Sequence, residues 1–355
     1  MVKFEYNVIG IMSGTSLDGI DIVEARFTKN ESYQFKILHS ETIPYTQLWK
    51  HKLKELVGKS KEELKSIDNL YSEYLAQTIL TFIKKHNIEH LDFVASHGHT
   101  ALHQPEIGIT YQIGNLQILA DILQQKVICD FRTQDVELGG QGAPLVPIGD
   151  QLLFGDFEYC LNLGGFANIS FEMNDERIAF DICPVNIVLN HYVSKLNYDY
   201  DDRGKIARNG TLNNSLLEQL NKLDFYNEKP PKSLGLEWVN NTIFPLIDAY
   251  NLEVVDVLRT FLEHIAIQIA KFSKSNTKRV LVTGGGAYND FLIERLKYFS
   301  EAKIIIPNKE IVEYKEALIF GLLGVLKVRN EINCLRSVTG AKNNHASGKI
   351  LFPIN

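Results

Sequence analysis

The run Gly10-Ile-Met-Ser-Gly-Thr-Ser-Leu-Asp-Gly-Ile-Asp21 follows directly on the apolar, β-prone segment 6–9. Gly14 and Gly19 free the backbone to turn its N–H groups toward one point, and Thr15 and Ser16 add hydroxyl donors. Asp18 and Asp21 offer carboxylate oxygens to a magnesium ion or a water. That is the chemistry of a phosphate-gripping hairpin, although a tight turn with no ligand uses the same residue types. Asp181, just before Pro184, suits a general base aimed into a cleft, or an N-cap. Arg132, flanked by Asp130 and Asp135, suits an anionic or hydroxyl-rich ligand, or a surface ion pair. Ser96-His-Gly-His-Thr100 offers imidazoles to a metal or to sugar hydroxyls, and H-x-H without further ligands is a weak metal signal. Glu316 is expected to open the last helix, where the dipole favours a carboxylate. His264 reads as structural.

Three glycine turns, at 14–19, 164–165 and 284–286, each follow a β-prone segment. In α/β proteins, turns at strand ends that share a cleft wrap a nucleotide. The first two suit phosphates, and Thr283-Gly-Gly-Gly-Ala287 lets an adenosine lie flat on bare backbone. No G-x-x-x-x-G-K-[ST] is present, which excludes a P-loop, and no G-x-G-x-x-G opens a helix after a strand.

The elements that must carry these residues begin with a strand–turn–strand through 27 and a third β-prone segment, 33–41. Ser60 and Glu63 form a capping box ahead of a helix whose apolar positions run from Leu64 to Ile83. A short strand (91–95), a loop holding His97, His99 and His103, a helix (115–125) and a strand (126–130) follow. Next come the glycine-rich loop 138–144 and a crossover at 145–155. A second strand–turn–strand then starts at 159–163, 166–173 and 177–182, so both halves open alike and an internal structural repeat is expected. Helices near 185–196, 213–222, 237–250 and 253–273 precede strand 279–283, a helix from 289, strand 303–306 and an apolar helix at 316–328. The polar tail 337–349 reads as a loop. The alternation predicts an α/β architecture.

At 355 residues two domains are expected, here 1–150 and 151–355. A hydrophobic content of 45% and a net charge of −6 suit a soluble protein with no basic face for nucleic acid. The four cysteines, 129, 160, 183 and 334, form no C-x-x-C pair, which predicts reduced, buried thiols and no zinc site. The charged start and the lack of a membrane-length apolar run predict a cytoplasmic chain without membrane contact.

Several runs together resemble the anhydro-N-acetylmuramic acid kinase family. They are Gly14–Asp21, Ser96–Thr100, Gln112-Ile-Gly-Asn115, Asp130-Phe-Arg132, Asp135-Val-Glu-Leu-Gly-Gly-Gln-Gly-Ala-Pro-Leu-Val-Pro147, Asn162-Leu-Gly-Gly-Phe-Ala-Asn-Ile169, Thr283–Ala287 and Ser337-Val-Thr-Gly-Ala341. The resemblance spans about residue 8 to 341, with the runs in the family's order. It implies the actin-like, sugar-kinase/Hsp70 ATPase fold, two α/β domains around a nucleotide cleft. It implies an ATP- and Mg²⁺-dependent homodimer that opens 1,6-anhydro-N-acetylmuramic acid with water and phosphorylates O6 during peptidoglycan recycling. By that resemblance Asp181 activates the water, and His97, Thr100, Arg132 and Glu316 hold the sugar. ATP falls to Gly14, Thr15, Ser16, Leu17, Asp18, Gly19, Ile20 and Asp21, with Gly164, Gly165, Asn168, Gly284, Gly285 and Gly286, and magnesium to Asp18. This chain differs from the family's usual Asp-Thr-Gly-Pro-Gly-Asn in reading Asp181-Ile-Cys-Pro-Val-Asn186, has His99 for a usual Gln, and Leu236 for a usual Arg. Those differences motivate a second reading, a same-fold paralogue with altered sugar preference or a nucleotide- or sugar-binding sensor.

Overall fold

In the computed structural model, which describes residues 3–14, 17–272 and 276–354, alternation of side chains across the strands builds two separate sheets. The chain divides into unit 1, Met1–Leu153 with Tyr314–Asn355, and unit 2, Phe154–Glu313.

Unit 1 contains β1 (Glu5–Ser13), β2 (Gly19–Lys29), β3 (Tyr33–Pro44), β4 (Phe93–Gln104), β5 (Ile109–Ile113) and β6 (Val127–Cys129). β1, β2 and β3 form an antiparallel meander, while β4 lies parallel to β1 and β6 parallel to β4. One face of β1 sends Ile9 and Ile11 into a core with Tyr71, Leu75, Ile79 and Phe82 of the helix Lys61–Lys85. The predicted capping box is present: Ser60 Oγ accepts from Glu63 N–H, and Glu63 accepts from Ser60 N–H.

The opposite face of β1 meets the helix Lys309–Val328 almost backbone to backbone. A Cβ on Gly10 would lie 2.1 Å from the Ala317 carbonyl oxygen, and one on Gly324 would lie 2.7 Å from Phe93. Ala317, Gly321 and Gly324 share one stripe of that helix, at i, i+4 and i+7, and this small-residue stripe seats it on the sheet. The expected division at 150 therefore needs correcting at its far end, because the terminal segment belongs to unit 1 and not to the residues it follows. The helix also starts at Lys309, so Glu316 stands two turns inside it and does not open it.

Unit 2 contains β7 (Tyr159–Leu163), β8 (Phe166–Met173), β9 (Glu176–Pro184), β10 (Arg279–Thr283) and β11 (Lys303–Ile305). Its order, β11-β10-β7-β8-β9, repeats the β6-β4-β1-β2-β3 order of unit 1, with the same senses of pairing. The repeat expected from the two strand–turn–strand openings is thus a repeat of topology. Two α/β units of this kind are the actin-like, sugar-kinase class of fold. The helix Val254–Ala270 fills the core of unit 2 through Leu258, Phe261, Leu262 and Ile265.

Two local expectations are corrected. The histidines at 97, 99 and 103 lie on β4 itself and not on a loop. The tail 337–349 is tied into unit 1: Cys334 and His345 pair backbone to backbone, Ser347 donates to the Phe131 carbonyl, and the strand Lys349–Leu351 joins β6. A polar composition hid this because the tail's partners are backbone groups and buried side chains distant in sequence. Among the described residues no helix is long and apolar enough to cross a membrane.

Candidate active-site residues

Unit 1 gathers His97, Arg132 and Glu316. Gly98, at φ +72°, bends β4 between the two histidines, and a Cβ there would meet the Ile113 carbonyl at 2.5 Å. His97 Nδ1 donates to the Gly98 carbonyl (2.8 Å), which leaves Nε2 to accept from Arg132 Nε (2.9 Å). The ring packs against Phe320, with centroids 4.8 Å apart. His99 engages Ser13 Oγ at 2.8 Å instead, beside Tyr45 and Tyr71. The two imidazoles thus serve different partners.

Arg132 also donates from Nη1 to the Gly142 carbonyl (2.6 Å), and among the described residues nothing accepts from Nη2. Burial lowers its pKa to about 10, while Glu316 works to keep it charged. The Glu316 carboxyl is pushed up by burial, against the pull of Lys315 and Arg132. Neither Asp130 nor Asp135 hydrogen-bonds Arg132. Asp130 takes Thr133 and Lys349, and Asp135 takes Gly142 N–H, Thr339 and Cys334. The surface-ion-pair reading of Arg132 therefore does not hold. Thr100, half-buried, lies on β4 opposite Gln112.

Also in unit 1, the first glycine turn joins β1 to β2. Gly14 is half-buried, and Leu17 takes φ +62°. Thr15 and Ser16 lie outside the described residues. Gly19 has a packing reason of its own, since a Cβ there would sit 2.5 Å from the Ile43 carbonyl oxygen of β3. Ile20 is buried in the core of the unit. Asp18 is exposed, and Asp21 accepts from the Thr42 hydroxyl at 2.6 Å. An all-oxygen donor set of this kind fits a hard cation such as Mg²⁺.

In unit 2 the second and third turns are neighbours, because β7 and β10 run parallel and end together, with Asn162 opposite Thr283. Gly284 has φ +81°, and a Cβ on Gly286 would meet Leu163 Cβ at 2.7 Å. These two glycines let the third turn lie flat on the end of β7. Gly165 and Gly285 are exposed and open: an added Cβ would find its first neighbour at 3.9 and 3.8 Å. The Thr283 hydroxyl, buried at the end of β10, has no hydrogen-bond partner among the described residues. Bare backbone at adjacent ends of parallel strands, with an unsatisfied hydroxyl beneath, fits a nucleotide.

Asp181 lies within β9, not at an N-cap; the helix Asn186–Ser194 takes Val185 in that place. A bulge pairs Asp181 with Asn168 and Cys183 with Ala167, passing over Ile182. Asn168, exposed on β8, therefore stands beside the carboxylate. Asp181 Oδ2 accepts Leu234 N–H at 2.9 Å, and its own N–H donates to the Lys232 carbonyl. Burial raises the carboxyl above the ordinary range, against the lowering effect of the Leu234 bond. Sequence reading missed Leu234, Gly142 and Phe320, because a backbone group or a packing ring leaves no local signature.

The bulky replacements beside Asp181 are absorbed by the core. Ile182, Cys183 and Val185 are all buried there, and Val185 has φ −129°, outside the region that requires glycine. Leu236 is about half exposed, at 48%. All four cysteines are buried, and burial pushes the Cys183 thiol well above its usual range.

A family model described as anhydro-N-acetylmuramic acid kinase matches residues 6–353. Relatives carrying that name include one from Mannheimia succiniciproducens, 34% identical over 380 residues, covering 99% of this chain and all of the relative. Another, from Pseudomonas syringae pv. syringae, is 32% identical over 367 residues, covering 98% of this chain and 99% of its own. A third, from Bacillus cereus, is 30% identical over 380 residues, with the same two coverages. A match that runs nearly end to end, through the glycine turns, Arg132 and the half-buried Asp181, makes this chain a member of the anhydro-N-acetylmuramic acid kinase family.

Proposed function

We propose that this chain is an ATP-dependent kinase that opens 1,6-anhydro-N-acetylmuramic acid with water and yields N-acetylmuramic acid 6-phosphate. The family membership supports the reaction class. The observation that carries the mechanism is Asp181, a carboxylate fixed by Leu234 N–H and raised above the ordinary carboxylate range by burial, which makes it a stronger proton acceptor.

In this reading Asp181 takes a proton from water as the water oxygen bonds to the anomeric carbon. The C1–O6 bond breaks, and O6 becomes the acceptor for the phosphoryl group. Arg132 and Glu316 hold the sugar's polar groups, with Thr100 adding a hydroxyl. His97 has both ring nitrogens committed, so its part is to aim Arg132. Gly164, Gly165, Gly284, Gly285 and Gly286 hold ATP in unit 2, with Asn168 beside them. The turn 14–21 holds its phosphates in unit 1, with Asp18 toward Mg²⁺. Bound ATP supplies the phosphoryl group, and the cation offsets its charge.

The test is mass spectrometry of the product formed from the anhydro sugar, ATP and Mg²⁺ in ¹⁸O-water. A 6-phosphosugar labelled at C1 is expected, and Asp181→Asn should lower its rate on the order of 10²–10⁴-fold. An unlabelled phosphosugar, or an unaffected variant, would remove Asp181 from the role of base.

A further inference from the structure

Behind the segment that holds Arg132, unit 1 has a buried trio with the makings of a metal centre. Asp135, Cys334 and His345 are 0%, 1% and 7% exposed, and one potential ligand atom from each lies within 4.8 Å of the others. Cys334 Sγ is 2.9 Å from Asp135 Oδ1, and His345 Nε2 is 3.6 Å from the same oxygen. That second distance is too long for a hydrogen bond. Nδ1 of His345 donates to the Asn343 carbonyl at 3.1 Å, which fixes the tautomer and leaves a lone pair on Nε2. Buried and aimed at the thiol and carboxylate, that Nε2 has no hydrogen-bond partner among the described residues.

An orphaned imidazole nitrogen, a thiol and a carboxylate turned toward one point are a borderline-soft donor set, the set Zn²⁺ prefers to Mg²⁺. The second ring nitrogen bonded to a carbonyl is the usual outer support of a metal-bound histidine. Thr339 Oγ1 donates to Asp135 Oδ1 at 2.7 Å, and a water would supply the fourth ligand. We propose that Asp135, Cys334 and His345 form a structural Zn²⁺ site that clips the terminal segment to the arginine loop. Binding exchanges the Cys334 S–H proton for the metal: one thiol and one Zn²⁺ give one thiolate–zinc bond and one released proton.

The site's place in the fold gives it a consequence. Asp135 Oδ2 accepts Gly142 N–H at 2.7 Å, and Gly142 carries the carbonyl that holds Arg132. Thr339 also accepts Gln141 N–H on its carbonyl. A metal here stiffens the segment that aims Arg132 without touching a ligand of the kinase.

Full-length protein, stripped with a chelator, should take up one Co²⁺ per chain. An intense thiolate-to-cobalt charge-transfer absorption should appear, be displaced by Zn²⁺ and be untouched by millimolar Mg²⁺. The band should vanish in Cys334→Ser that is shown by circular dichroism to be folded. Absence of a thiolate band in the native protein, or its survival in folded Cys334→Ser, overturns the site. Should Cys334→Ser not fold, His345→Gln decides: cobalt affinity weakened at least tenfold supports the site, and unchanged affinity overturns it.

Discussion

At the scale of single residues, some groups are proposed to act and others to aim them. Removing the His97 acceptor leaves Arg132 Nε without a partner, a loss of about 1.5–3 kcal/mol for a bond to a charged group. His97→Ala is therefore expected to raise KM for the anhydro sugar by roughly ten- to a hundredfold, with KM for ATP little changed. His97→Gln, which restores an acceptor, should recover part of the loss. Steady-state kinetics with each substrate varied in turn check both. Cys183, two residues from the proposed base, is fully buried and its thiol is held protonated, so it should resist iodoacetamide in the native state. Peptide mapping should find it alkylated only after denaturation.

At the scale of elements, the contact of β1 with the helix Lys309–Val328 is the least forgiving in unit 1. Gly10→Ala would drive a methyl group to 2.1 Å from a helix carbonyl, and neither backbone can retreat without disturbing the sheet. A loss of about 1–3 kcal/mol or more is expected, read as a lower urea midpoint at unchanged slope. The same helix carries Glu316 and Phe320, the latter packed on His97, so sugar KM should rise with the instability. In unit 2 the corresponding precision lies in the bulge at Ile182. It turns Asp181 toward Asn168 while Ile182 and Val185 remain in the core. Of the residues that depart from the family pattern, Ile182, Cys183 and Val185 are accommodated there by burial.

At the scale of the whole molecule, buried titratable groups set the response to acid. Burial holds His99 at about 4 and His264 at about 3, and holds His97 well below its usual range. Unfolded histidines take up protons near pH 6.5, so the unfolded state binds more protons below that value. The stability these three contribute is complete above about pH 6.5 and is lost as pH falls through the folded values. Asp181 and Glu316, raised by burial, act in the opposite sense: the native state binds the extra proton, and stability falls as pH rises through their folded values. Burial also lowers His103 and His191 and raises Asp68, so five imidazoles stand against three carboxyls. Because unfolded histidines charge at about pH 6.5, the urea midpoint should drop between pH 7 and pH 5. An unchanged or higher midpoint at pH 5 would contradict that balance.

The sequence by itself determined most of the local structure and the family. Strand β10, the Ser60 capping box and the repeated strand–turn–strand openings follow from patterns within a few residues, where periodicity and capping chemistry act. The runs around Asp18, His97, Arg132, Gly164 and Gly284 identified the family because each is contiguous. Tertiary structure decided what depends on distant partners. It returned residues 314–355 to unit 1, because a glycine stripe is only a contact surface once the strand opposite is in place. It set His97 and His99 on different partners through one bend at Gly98. It also brought Asp135, Cys334 and His345 together from segments some 200 residues apart, where no spacing rule reaches, because burial and pairing act through space and not along the chain.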